Sequence, residues 1–152
     1  MNEAFGFWLS GITDGEGCFL IELQKPNKHQ PHVKYRGSFA IALRADDVYI
    51  LNQIKVTLGF GHVYPKPRSA KVKNSKPQFV YRVSSIENCC ELVNLFDKYQ
   101  LQSKKLNDYK VWKEFILYKK QHFGNFDNTI DYINTLETFY KQLKTVREFP
   151  KR

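Results

Sequence analysis

Residues 7–17, FWLSGITDGEG, limit more than any other stretch what this chain can fold into. They read as an apolar helix with small residues at Gly11 and Gly15 that breaks off at two acids and a glycine, Asp14, Glu16 and Gly17. Glycines at i and i+4 share one helix face, where a missing side chain lets a second backbone come close. The stretch therefore predicts helix packed against helix. Acids at a helix C-terminus meet the negative pole of the macrodipole, so carboxylates there call for a compensating cation. A divalent metal would supply it.

The first helix is expected over about residues 3–14, followed by a strand over 18–25 in which Phe19, Ile21 and Leu23 alternate with Leu20, Glu22 and Gln24. This period of two marks a strand with one face on the core. The loop PNKHQPH, with two prolines, separates it from a second strand over 34–43, where Phe39, Ile41 and Leu43 point inward and Lys34, Arg36, Ser38 and Ala40 outward. Asp46 can cap the next helix, which carries Leu51, Ile54 and Leu58 at helical spacing and ends at Gly59. Strands over 61–66 and 78–84 flank a basic loop, PRSAKVKNSKP; on the second of them Phe79, Tyr81 and Val83 oppose Gln78, Val80 and Arg82.

Three helices complete the chain, over 86–98, 103–120 and 129–147, with a break at HFGNFDN before the last. Their buried sides are Ile86, Cys89, Val93 and Phe96, then Leu106, Tyr109, Trp112 and Ile116, then Ile133, Leu136, Tyr140 and Leu143. The reading is α+β: an α-β-β-α-β-β-α core with a curved antiparallel four-stranded sheet and C-terminal helices, forming a single domain over residues 1–152.

Net charge is +9, and its distribution says more than its size. Residues 24–82 hold twelve Lys/Arg and two acids, Asp46 and Asp47, whereas the other 93 residues hold twelve bases and thirteen acids. A positive block that coincides with the four strands is the expected footprint of a nucleic acid, although a solvated basic face has the same composition. Lys/Arg on the outer face would contact phosphates, and Gln, Arg, Glu and Ser would read base edges in the major groove. The outward candidates are Glu22, Gln24, Lys34, Arg36, Ser38, Arg44, His62, Tyr64, Lys66, Arg68, Gln78 and Arg82. Glu22 would repel phosphate and suits a cytosine amine better.

No apolar run approaches the roughly 20 residues of a membrane helix, and neither a signal peptide nor a transit segment opens the chain. An intracellular, non-membrane protein is expected, encoded in an organelle or acting in a prokaryotic cytoplasm. Lysine outnumbers arginine 18 to 6, as an AT-rich organellar gene would give. Cys18, Cys89 and Cys90 lack the CxxC spacing of zinc or redox sites and read as buried, reduced thiols. His29 and His32 lie in a proline-bounded loop without cysteine partners and read as solvated. Phosphate-loop, nucleophile-elbow and HExxH patterns are absent, so Asp14 and Glu16 are the candidates for metal chemistry.

LSGITDGEG, residues 9–17, resembles the LAGLIDADG motif of homing endonucleases, with identity at Leu9, Gly11, Asp14 and Gly17. The order of elements, FAIALRADD before the second helix, the LGFGHV turn, YRVSS after strand four and the pair Lys104 and Lys105 are similar to that family as well. The resemblance implies an intron-encoded, site-specific endodeoxyribonuclease that hydrolyses phosphodiesters across the minor groove of a long, pseudo-palindromic double-stranded DNA site with Mg²⁺. Having one copy of the motif, the chain resembles the homodimeric members, whose first helices would pair here through Gly11 and Gly15 with Asp14 near the interface. Glu16 and the Gly15 carbonyl would hold the metal, and Lys104, or Lys105 one place on, would support the hydrolytic water. Where some members carry a glutamine near the end of strand two, this chain has Leu43 followed by Arg44. Asp14 reads as a structural acid. An RNA-splicing maturase acting on intron RNA and a catalytically silent DNA-binding protein remain alternatives on the same fold.

Overall fold

The computed structural model describes residues 1–68, 70–122 and 130–148. Helix α1 (Glu3–Glu16) starts at Asn2, whose Oδ1 accepts from the Phe5 amide at 2.8 Å. It runs two residues beyond Asp14 because the Gly17 amide still reaches the Thr13 carbonyl. A Cβ on Gly17 would lie 2.6 Å from the Thr13 side chain, so this exit into the sheet requires glycine.

Strands β1 (Gly17–Gln24), β2 (Lys34–Arg44), β3 (His62–Pro65) and β4 (Gln78–Val83) form one antiparallel sheet in the order β1-β2-β4-β3. Helices α2 (Val48–Leu58), α3 (Ile86–Lys98), α4 (Lys105–Gln121) and α5 (Ile130–Arg147) complete the fold. The expected α+β architecture is therefore present, with each strand ending within two residues of its predicted bounds. Most of the expected break at 122–128, and the first residue of the expected last helix, lie outside the described residues.

Odd-numbered residues of β1 and β2 face the core. Phe19, fully buried, has ring centroids of Phe39, Phe96, Tyr109 and Trp112 between 5.1 and 5.7 Å away, so one strand residue ties β2, α3 and α4 together. Arg147 at the end of α5 donates to the Phe19 carbonyl and pairs with Asp108 at 2.7 Å, fastening the last helix over the same point. Leu136 and Leu143 are buried as expected, while Ile133 and Tyr140 are only partly covered.

Three expectations need correction. Asp46 does not cap α2: a 3-10 turn, Ala45–Asp47, intervenes, and its carboxylate pairs instead with Arg44 at 2.8 Å. Leu23 follows the inward alternation but lies near the strand end and stays 38% exposed. All three cysteines are free, yet only Cys89 is buried, where burial pushes its thiol pKa up to about 12. Gly59 does end α2, with φ +81°, and Gly61 at φ +89° receives the Tyr81 ring, whose hydroxyl donates to the Phe60 carbonyl at 3.0 Å.

The glycines of α1 divide by what faces them. A Cβ on Gly6 would fall 2.3 Å from the Tyr99 ring, whereas one on Gly11 or Gly15 would meet none of the described residues within 4 Å. Gly6→Ala is expected to lower stability by about 1–3 kcal/mol through overpacking. Gly11→Ala should leave the chain equally stable or up to about 1 kcal/mol more stable, from helix propensity alone. Urea denaturation midpoints check this, and the reverse ranking would contradict the packing.

Candidate active site and nucleic-acid interface

The inner side of α1 is fastened along its length to the connection between α3 and α4. Leu9 is fully buried, the Ser10 hydroxyl donates to the Tyr99 carbonyl, and Gly6 receives the Tyr99 ring. At the end of the helix the two oxygens of Asp14 are both engaged. Oδ2 accepts from the Gln102 amide at 2.9 Å; Oδ1 accepts from the Ser103 amide at 3.0 Å and the Ser103 hydroxyl at 2.6 Å. These donors immediately precede α4, so the negative end of one helix meets the positive end of another with a carboxylate between them.

Burial works to raise the Asp14 pKa, but the Ser103 hydroxyl, the amides of Gln102 and Ser103 and the charge of Lys105 together bring it below its ordinary 3.8. Asp14 thus belongs to its own chain's framework, the structural acid that the sequence reading expected. The clamp has a positional result. Glu16 lies two residues beyond Asp14, and Lys104 and Lys105 follow Ser103 directly, so the expected metal ligand and the expected lysines are held at the same end of the fold. Glu16 and Gly15 are exposed, as is Lys104, while Lys105 is half-buried and acts on Asp14.

The opposite side of α1 is open. Ala4, Phe7, Gly11 and Gly15 recur at helical spacing, with Phe7 59% and the neighbouring Trp8 40% exposed. Only the glycines of this stripe were singled out in the sequence; the same spacing read backwards through Phe7 and Ala4 would have found the rest. Gly6, Tyr99, Gln102 and Ser103 were missed because their partners lie some 90 positions away.

The even-numbered strand residues form the outer face of the sheet. Register sets them in rows: Gln24 beside Lys34, Glu22 beside Arg36, Leu20 beside Ser38, then Cys18, Ala40, Arg82 and His62 across all four strands. Arg44 pairs with Gln78, whose carbonyl accepts from the Lys66 amide. From Lys34 to Arg44 the face is about 34 Å long at the usual strand rise. That is about one turn of duplex DNA. Arg44, Lys66, Arg68, Lys76 and Gln78 border a cleft of about 370 Å³ at one end, while Lys34 and Arg36 are exposed at the other. Both ends are polar and cationic, and between them β2 carries only small residues on this face, Ser38, Ala40 and Ala42.

Ser38 does not belong to this exposed set. It is 0% exposed, and its hydroxyl has no hydrogen-bond partner among the described residues. The reason lies in Arg82, which stands opposite Ala40 on β4 yet donates through Nη2 at 2.7 Å to Oε1 of Glu22, opposite Arg36 on β1. Its side chain crosses β2 over the residue between them, Ser38. Small residues at 38, 40 and 42 make that crossing possible. Burial disfavours the Arg82 charge, but the Glu22 carboxylate and the side chain of Tyr64 more than compensate and raise its pKa. Among the described residues Arg82 Nε has no hydrogen-bond partner, and a partly exposed ion pair of this kind contributes about 0–1 kcal/mol.

A family model described as LAGLIDADG endonuclease matches residues 9–116, and the chain belongs to that family. It is 27% identical over 147 residues to the probable intron-encoded endonuclease Cox1-I1b of Schizosaccharomyces pombe, covering 96% of this chain and 35% of that protein. Among solved structures it superimposes on the homing endonuclease I-GzeII in complex with its DNA target, with TM-score 0.73, 26% identity and coverage of 89% of this chain and 43% of that one. I-SmaMI, bound to uncleaved DNA target in the presence of calcium ions, gives TM-score 0.74 at 22% identity over 95% of this chain and 46% of that one. The chain thus spans about a third of this curated relative and less than half of these solved structures.

Because the native pKa of Asp14 is depressed, its clamp adds stability above the unfolded value of 3.8 and loses it as pH falls through the lower native value. Asp14→Asn should lose about 1 kcal/mol at neutral pH, show a shallower acid-side decline, and speed amide exchange at Gln102 and Ser103. A wild-type acid profile in Asp14→Asn would contradict the clamp.

Proposed function

We propose that this chain is one half of a metal-dependent, site-specific endonuclease, completed by a second copy of itself, that cuts both strands of a long, nearly palindromic DNA site across the minor groove. The open face of α1 carries the reading. It pairs bare glycines with exposed Phe7 and Trp8, a surface suited to a second helix of the same sequence. Two α1 helices crossing there would bring two Gly15–Glu16 ends together.

The residues fit a hard divalent cation. Glu16 is an exposed carboxylate, the last turn of α1 contains no basic residue, and the final carbonyls of a helix lack partners within it. Among the described residues no group of three or more His, Cys, Asp or Glu could hold a metal, so one chain supplies too few ligands by itself. Mg²⁺ ordinarily keeps waters and adds substrate phosphates to one or two carboxylates, which matches a site shared by two chains and DNA. A metal held there would supply charge stabilisation for the phosphoryl oxygens and activation of a water.

Glu16 and the Gly15 carbonyl are the proposed ligands. Lys104, more exposed than Lys105, would offset charge on the reacting phosphate. Phosphates along the duplex would meet Lys34, Arg36, Arg44, Lys66 and Arg68, and the edges of the bases would meet Gln24, His62, Tyr64 and Gln78 together with Glu22 and Arg82. The DNA complexes of I-GzeII and I-SmaMI support this use of the fold, and the S. pombe relative supports an intron-encoded origin.

Two variants test the reading. Glu16→Gln should lower metal-dependent cleavage by about a hundredfold or more while DNA retention is unchanged, because the lost charge acts on the metal rather than on the groove. Gly11→Leu should keep the monomer folded but abolish self-association in sedimentation equilibrium and paired-strand cleavage with it. Loss of DNA retention in the first variant, or unaltered association in the second, would refute the assigned roles.

A further inference from the structure

Glu22 and Arg82 come from the two strands that flank β2, not from adjacent strands, and meet over it at 2.7 Å. Their side chains are partly exposed, at 43% and 30%. Of the five N–H donors of Arg82, one goes to Glu22, one meets Tyr64 and the Nε–H is buried, which leaves two on the guanidinium end, and Glu22 uses only one of its two oxygens in its bond. Tyr64 supports the guanidinium from the side away from Glu22, since β3 and β1 are opposite edges of the sheet. The result is a donor fork and an acceptor oxygen fixed next to each other, on a stage of small residues that cannot compete for bases.

The major-groove edge of a G·C pair has the complementary order: two acceptors on guanine, O6 and N7, beside one donor on cytosine, N4. We infer that Glu22 and Arg82 act as one preassembled reader of a single G·C pair, Arg82 donating to guanine while the second Glu22 oxygen accepts from the cytosine amine. Because the arginine stems from β4 and the acid from β1, the unit also fixes polarity, favouring G·C over C·G. Neither residue is a phosphate contact: an acid within hydrogen-bond reach of the guanidinium would repel a phosphate placed there. The inference rests on the DNA-binding reading above and adds the base it recognises and the coupling between the two residues.

The probe is a randomised duplex DNA library, retained on the purified chain and sequenced, for the wild type, Glu22→Gln, Arg82→Lys and the double variant. Both single changes keep the side chain's size, and Arg82→Lys keeps its charge. The wild type should select a G·C pair at one position of each half-site by roughly tenfold. Each single variant should lose most of that selection at this position of both half-sites and at no other, and the double variant should lose no more than either single one.

Selection lost by the two single variants at different positions of the half-site, or losses that multiply in the double variant, would overturn the coupled reader. So would lower melting temperatures with the wild-type base profile intact, the signature of a purely structural strut. A wild type that retains no sequence selectively would instead fail the DNA-binding reading itself, taking this inference with it, and is distinguished because no variant is needed to see it.

Discussion

Asp14 is the contact on which the geometry of the site depends. The end of α1 and the start of α4 are distant in sequence, and each would present a helix pole of uncompensated charge. One carboxylate joins them through three hydrogen bonds and fixes Ser103 against the end of the motif helix. Everything proposed for the site follows from that union: Glu16 beyond the clamp on one side, Lys104 and Lys105 beyond it on the other. The charge deficit that the sequence suggested at this helix end is thus met twice, by backbone amides at Asp14 and, in our proposal, by a metal at Glu16.

Around that joint the fold keeps two surfaces apart. The core side of the sheet is organised on Phe19, while its outer side is polar at both ends and small in the middle. α1 is likewise divided: Leu9, Ser10 and Thr13 are buried on one side, and Phe7, Gly11 and Gly15 are left bare on the other. Glu16, the last residue of α1 before Gly17 turns the chain into β1, is exposed.

Period-two alternation and helical spacing made the order of elements legible from sequence, and the α3 bounds come out as read, with Ser85 capping the helix. Local signals failed where a nearby competitor or a distant partner decided the outcome. Asp46 has the right type and position for an N-cap, yet Arg44 takes its carboxylate. Ser38 has the parity of an exposed residue, yet an arginine from the next strand crosses over it. Tyr99 looks like any core aromatic until Gly6 is seen beneath its ring. Periodicity along α1 could not tell that Gly6 meets the Tyr99 ring of its own chain, whereas none of the described residues comes near Gly11 and Gly15.

Incubating the purified chain with a randomised duplex DNA library, with and without Mg²⁺, and sequencing the newly formed ends measures the central claim most directly. A metal-bearing site built from two motif helices predicts metal-dependent breaks in both strands at one nearly palindromic sequence. Breaks that do not depend on metal, breaks confined to one strand, or intact DNA from a chain shown to self-associate would contradict it.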